Sequence, residues 1–348
     1  MEVSYRRNKL EGAEAVAYRE FGDRARGAHY MQSLEWRHIV PSAGLQHRYI
    51  VVRDQGRIIA TAALLRGMRG PLRSPTAVIE RGPVVDDVAD LDRVLPAIRR
   101  ATQWHGIDQL RIQPNFAHAD AAAAITIAER HGFVPTGDLE GPYSTTLRVQ
   151  LAGIDRAAIF AGSDLSETRR CARKAREGGA VVRRGTASDL PKLAALYCQM
   201  MEAQGGNDRS SSYFASFAPL LASEQVAMFC CEFKGELDCV VLVAQHCGQV
   251  TLHLGATSLV KRNYKKMLLP IWAAAEWAYD QGSAQLDLGG VPPPHDADLK
   301  RRRIAQFKFD FASASVPLTP ILLSTPSPLG AALRRGLAAT ASLRRIRR

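Results

Sequence analysis

Strand-length apolar segments run along 47–53 and again along 57–65, and Asp54-Gln55-Gly56 separates the two. Two such segments on either side of a glycine-containing turn predict a β-hairpin. Helical periods follow. Residues 90–105 and 120–131 carry apolar side chains at helical spacing, and each run leads into a short strand pattern, at 109–113 and near 144–151. The second half repeats the order. A basic helix is predicted over 166–177, a strand over 180–183, and helices over 187–204 and near 213–222. Three strands follow, at 226–233, 237–246 and 249–255, joined by the turns Lys234-Gly235-Glu236 and Cys247-Gly248. A long helix over 264–280, closed by Gln281-Gly282, leads to a strand at 284–288. The recurrence reads as an internal duplication resting on element order, because identity between the halves is low.

A chain of 348 residues suits two domains. The expected division is 1–155, 156–325 and a basic C-terminal tail or helix over 326–348, with the boundary where strand pattern gives way to Gly and Asp near 152–164. The fold class expected is α/β (α+β), with mixed central sheets flanked by helices.

Charge changes the picture more than overall composition does. The formal net charge of +12 favours a polyanionic partner, since phosphates gain Coulomb energy and release counterions on contact, although Arg-rich coding alone would also raise it. The six cysteines, Cys171, Cys198, Cys230, Cys231, Cys239 and Cys247, show no zinc-ligand spacing, so no metal is expected and they read as small hydrophobes in a reducing compartment. The polar start of the chain lacks a signal-like apolar stretch, and no apolar run reaches membrane-spanning length, so a cytoplasmic location is expected. The tail pairs Leu329, Leu333, Leu337, Leu343 and Ile346 with arginines, which suits peripheral contact with anionic lipid or RNA, or equally a frayed basic end.

Strands around a central meander with a helix after the fourth strand describe the acyl-CoA N-acetyltransferase (GNAT) fold, so two tandem GNAT-like domains are expected. Such enzymes cradle the cofactor pyrophosphate with a glycine-rich loop at a helix N-terminus. Here the corresponding segment reads Ser258-Leu259-Val260-Lys261-Arg262-Asn263-Tyr264-Lys265-Lys266, without glycine and with four basic residues. No bound cofactor is therefore expected.

Four stretches carry a more specific resemblance: 168–179; His253 through Ala256, Lys265 and Trp272 to Gly282; Leu286-Asp287-Leu288-Gly289-Gly290-Val291; and Gln306-Phe307-Lys308-Phe309-Asp310-Phe311. Weaker echoes are Gln32-Ser33 with Trp36, Arg81-Gly82-Pro83-Val84, and Ile112 with Pro114. In order and spacing they resemble the FemABX family, peptidyltransferases that use aminoacyl-tRNA and add amino acids to peptidoglycan precursors, in its shorter form without a helical arm. The resemblance implies that Phe307 and Lys308 meet the tRNA acceptor end and the reacting ester. It also implies acceptor-binding side chains at Trp36, Arg37, Arg209 and Tyr213, the alternative being that Arg37 and Arg209 are ordinary surface arginines.

A fixed ammonium at Lys308 would stabilise the oxyanion that forms when an amine attacks the ester, and Phe307 could stack on the terminal adenine. Alternatively, Phe307, Phe309 and Phe311 alternate into the core with Lys308 in solvent. Arg169, Arg170, Arg173 and Lys174, with Lys261, Arg262 and Lys265 and with Lys300, Arg301, Arg302 and Arg303, form clusters fit for tRNA phosphates or for ordinary solvated faces. His253, Asp287, Gly289 and Gly290 are expected to line the cleft, His253 as a base or a structural residue. The function expected is transfer of an amino acid from aminoacyl-tRNA to an amine of a peptidoglycan precursor or natural-product intermediate. The alternatives are an acyl-CoA-dependent N-acyltransferase and a non-catalytic RNA- or precursor-binding protein.

Overall fold

The computed structural model describes residues 1–7, 9–41, 45–69, 72–136, 144–161, 165–206, 209–292, 302, 305–312 and 314–324. The chain divides into two compact units, one formed by Met1–Ala28, Ser42–Gly141 and Thr319–Arg348, the other by His29–Pro41 and Pro142–Leu318.

In the first unit, strands β1 (Glu2–Arg7), β2 (Leu45–Asp54), β3 (Arg57–Arg69), β4 (Leu72–Ile79), β5 (Val84–Val85), β6 (Gln109–Ile112) and β7 (Phe133–Pro135) build one sheet with a late strand from Leu322–Ser324. The β2–β3 hairpin turns at Gln55 and Gly56, both with positive φ, so a glycine at the second position removes the Cβ conflict. Helix α1 (Gly12–Gly22) contacts β3. Helix α3 (Leu91–Trp104) is the crossover between the parallel strands β4 and β6, with α4 (His118–Arg130) following β6. Leu91, Val94, Leu95 and Ile98 of α3 recur at three- and four-residue spacing and are buried against Ile50, Leu64 and Ile112 of the sheet core.

The second unit contains α2 (Leu34–Ile39), β8 (Thr145–Gln150), α5 (Ser166–Glu177), β9 (Ala180–Arg184), α6 (Leu190–Gln204), α7 (Ser211–Ala215), α8 (Phe217–Ala222), β10 (Val226–Phe233), β11 (Glu236–His246), β12 (Gln249–Thr257), α9 (Leu268–Asp280), β13 (Gln285–Gly290), β14 (Ser315–Pro317), and a 3-10 turn at Phe307–Asp310. Its sheet order is β14-β8-β13-β12-β11-β10-β9. With Leu322–Ser324 as β15, the first sheet runs β1-β2-β3-β4-β6-β15-β7. Read from β9, the second order matches the first position by position, β8 standing where β15 stands, with a parallel pair in the centre of each. Two further hairpins turn at Lys234-Gly235 and Cys247-Gly248, again with positive φ at both positions.

The units depart from the division at residue 155 in three segments. The strand that closes the first half of the sequence, β8, pairs with β13 and β14 of the second unit. Residues 29–41 also belong there, and β15 completes the first sheet through β6 and β7. Alternation within a strand fixes which face is buried but not which sheet supplies its partner, so pattern alone assigned these segments to the nearer half. The long helix predicted from 264 begins at Leu268, and the helix predicted near 213–222 is two short helices, α7 and α8. Lys300, Arg301, Arg303 and the tail from residue 326 lie outside the described residues.

Candidate active site

Strands β12 and β13 run parallel through only two aligned pairs, Val250 with Leu286 and Thr251 with Asp287. Beyond them β12 continues to Thr257 and β13 to Gly290. The register of β12 against β11 slips between Leu252 and Leu254, leaving His253 as the extra residue of a bulge, a device that re-aims a side chain. A cavity of about 350 Å3 opens here. Its walls include Leu252, Leu254 and Gly255 of β12, Met200 and Gln204 of α6, and Leu288 and Gly290 of β13, with Phe307 and Lys308 from the 3-10 turn.

Three contacts hold that turn. Thr168 of α5 donates its hydroxyl to the Asp310 carbonyl at 2.5 Å, Lys265 donates to the Asp310 carboxylate at 2.6 Å, and Phe311 is buried against Phe160 at 5.3 Å between ring centroids. Helix α5 supplies the first contact because Thr168, Ala172 and Ala175 form its buried stripe while Arg170, Arg173 and Arg176 are exposed. Consequently Lys308 faces the cavity and Phe309, 39% exposed, faces solvent, opposite to simple alternation of the three phenylalanines. The Lys308 Nζ donates to the Gly290 carbonyl at 2.7 Å. Burial lowers its pKa to about 8, and the Asp287 carboxylate offsets part of that loss.

His253 lies between two tyrosines, with Nδ1 2.9 Å from the Tyr30 hydroxyl and Nε2 2.7 Å from that of Tyr213. Burial pushes its imidazole down to about 3, so it is neutral at physiological pH. Trp36 packs edge-on against both Tyr30 and His253 and is buried, and the side chain of Arg37 is buried as well. Arg209 stacks over the Tyr213 ring at 4.5 Å. Asp287 and Gly289 stand beside the cavity, Gly289 with φ +75 and an ideal Cβ position 3.6 Å from the Lys308 Nζ.

The segment after β12 folds around Asp238, whose side chain is fully buried. Ser258 donates to it at 2.5 Å and the Tyr264 hydroxyl at 2.7 Å, while Arg262 and Lys266 lie at 3.3 and 3.4 Å. Burial raises the Asp238 carboxyl, but these hydrogen bonds and charges outweigh it and hold the group below the usual carboxylate range. Arg262 is thus committed inside the protein and Lys265 to Asp310, leaving Lys261 exposed. On α5, Arg169 donates to the Phe160 carbonyl, Arg170 makes a bidentate pair with Glu167, and Arg173, near Glu177, is exposed along with Lys174. Arg302 is exposed too.

The structure brings Lys308, Phe307, His253 and Gly290 together on one cavity, and packs Tyr213 and Trp36, expected at the acceptor, against His253. The sequence-based expectations do not include Tyr30, Met200, Gln204, Met267 and Asp238. Leu252 and Leu254 have only a strand pattern in the sequence, since a bulge that turns consecutive side chains toward a cavity has no signature in alternation.

Residues 163–301 match the acetyltransferase (GNAT) domain family. No curated protein matches the sequence. Among solved structures the chain is similar to FemX, with TM-score 0.76 and 16% identity over 93% of this chain and 97% of that one. It is also similar to the DUF2156 C-terminal domain assigned to a lysylphosphatidylglycerol synthetase of Agrobacterium fabrum, with TM-score 0.59 and 14% identity over 94% and 96% of the two chains. A tandem GNAT protein of the clavulanic acid biosynthesis pathway aligns with TM-score 0.57 and 13% identity over 94% and 100%. No helix among the described residues is long and apolar enough to cross a membrane. The chain thus has the tandem acetyltransferase-like fold seen in FemX, and its second unit carries the matched GNAT domain.

Proposed function

We propose that this protein is an aminoacyltransferase that moves an amino acid from aminoacyl-tRNA to an amine of a small acceptor, forming an amide. The observation that carries the reading is Lys308, a partly desolvated ammonium fixed on the Gly290 carbonyl inside the cavity between the parting strands. When the acceptor amine attacks the ester carbonyl, negative charge develops on its oxygen. A preorganised ammonium stabilises that charge far better than a solvated one. The ester is already activated, so orientation accounts for most of the remaining barrier. Phe307 offers a ring at the cavity wall for the terminal adenine. Arg170, Arg173, Lys174, Lys261 and Arg302 offer exposed cations for acceptor-stem phosphates, and the sequence adds Lys300, Arg301 and Arg303 beside Arg302. FemX and the lysylphosphatidylglycerol synthetase domain share this fold, which supports an acyl transfer of this class without identifying the acceptor.

A second reading, an N-acyltransferase using acyl-CoA, is favoured by the match of residues 163–301 to the GNAT acetyltransferase domain. Against it stands the segment Ser258–Lys266, which packs side chains around Asp238 instead of offering a glycine-rich backbone to a pyrophosphate. The deciding experiment is transfer of radiolabelled amino acids from a pool of charged tRNAs to muropeptide precursors and small amines, with and without ribonuclease. Ribonuclease-sensitive product that disappears in folded Lys308→Ala is expected. Saturable coenzyme A binding with no tRNA-dependent product would establish the second reading instead.

A further inference from the structure

An ammonium withdrawn from water tends to lose its proton, and one that must stay charged near neutral pH needs an anion close by. The charged and titratable groups around Lys308 come from three strands and its own turn: Asp287 of β13, Arg148 of β8, neutral His253 of β12, and Asp310, which is engaged by Lys265. Asp287 is itself held by β8. The Thr146 hydroxyl donates to one carboxylate oxygen at 2.6 Å and the Arg148 Nε to the other at 3.1 Å. Thr146 and Arg148 stand two residues apart, on one face of β8, so a single carboxylate can meet both. The pairing register between β13 and β8 is regular to Asp287 and breaks before Gly290. In that break the Gly289 N–H donates to Asp287 Oδ1 at 2.7 Å, and Gly289 at φ +75 turns the chain so that the Gly290 carbonyl meets Lys308.

We propose that Asp287 is the positioning residue of this site: clamped by Thr146 and Arg148, it fixes the Gly289–Gly290 turn that aims Lys308 and supplies the negative charge that keeps Lys308 protonated. The inference rests on the reading of Lys308 as the donor to the oxyanion. A purely structural Asp287 would need only its acceptor oxygens. Asp287→Asn keeps an acceptor for Thr146 and Gly289 while removing the charge, and so separates the two roles.

The test reads Lys308 directly, by competitive labelling of the full-length protein with trace acetic anhydride from pH 6 to 11 and mass spectrometry of the Lys308 peptide. The wild-type midpoint is expected near 8. In Asp287→Asn it should fall by about one pH unit. The alkaline limb of kcat for transfer should move by the same amount, with KM for charged tRNA unchanged, and Asp287→Glu should restore both. Arg148→Gln removes a competing cation and should move the midpoint upward. Midpoints that stay in place in both folded variants overturn the proposal. Transfer that survives Lys308→Ala would instead overturn the functional reading, and the labelling result would still report whether Asp287 governs Lys308.

Discussion

The two units share a strand order and differ at one step, where the two central parallel strands end. In the first unit β4 and β6 stay aligned through four pairs, from Thr76 with Gln109 to Ile79 with Ile112. The chain then loops through Gly82 and returns to β3 as β5, and the Gln113 N–H donates to the Gly82 carbonyl at 3.0 Å. That step is closed by backbone. In the second unit alignment stops after two pairs, β12 bulges at His253, and a lysine side chain donates to the strand-end carbonyl of Gly290. One architecture thus yields a strand end closed by backbone in one copy and a cavity lined by a charged side chain in the other. The few residues at the strand ends decide between them, which is how a fold separates from the function it hosts.

The sharpest way to break this contrast is to truncate a polar side chain at the strand end of each unit. Lys308→Ala should lower kcat by about 100- to 1,000-fold, the usual loss for one oxyanion donor. Gln113→Ala should leave kcat unchanged and cost about 1 kcal/mol of stability through its lost bond to the Thr319 carbonyl. Comparable loss of kcat in both variants would end the argument that only the second unit is chemically active. The segment after β12 offers a test in stability. Asp238→Ala leaves Arg262 and Lys266 beside an emptied, buried position and should cost about 3 to 5 kcal/mol in urea unfolding. Because the Asp238 carboxyl is depressed in the folded state, its contribution is full above the ordinary aspartate range. It is lost as pH falls through the folded value, so the gap between wild type and variant should close in acid.

How much of this was legible beforehand follows from the kind of information each residue carries. The three hairpins were, because Gln55-Gly56, Lys234-Gly235 and Cys247-Gly248 sit between strand-length apolar segments and each turn needs a residue that tolerates positive φ. The basic helix α5 was, from its charge and helical spacing. Lys308 came from resemblance, and alternation would have sent it to solvent, because nothing local announces that Thr168 and Lys265 grip Asp310 and rotate the turn. The partner of β8 was not legible, since pairing across more than a hundred residues depends on tertiary contacts that periodicity does not encode. Asp238 looked like an ordinary strand residue for the same reason: its four partners lie 20 to 28 positions downstream.

A smaller effect is expected at Gly289, where any Cβ meets the Leu252 carbonyl at 3.4 Å in a conformation that L residues avoid. Gly289→Ala should cost about 1 to 2 kcal/mol and displace the Gly290 carbonyl from Lys308. The expected readout is a fall in kcat larger than any change in KM, and a variant with wild-type kcat would show that the turn does not aim the lysine.

The smallest effect bears on what the open copy gives up for its charge. Burial lowers the Lys308 pKa to about 8, below its value in the unfolded chain, so folding penalises the protonated form. That penalty is full below the folded pKa, shrinks as pH rises from about 8, and is gone above the unfolded value of about 10.4. Lys308→Met keeps the length of the side chain and drops the charge, so it should be more stable than wild type by about 1 kcal/mol at pH 7. The difference should vanish by about pH 10.5. Transfer by the wild type should run the other way, declining as pH rises through about 8 because the oxyanion needs the ammonium. Opposite slopes of stability and activity across one pH window are what a lysine kept for chemistry produces, whereas a lysine kept for packing would show the stability slope alone.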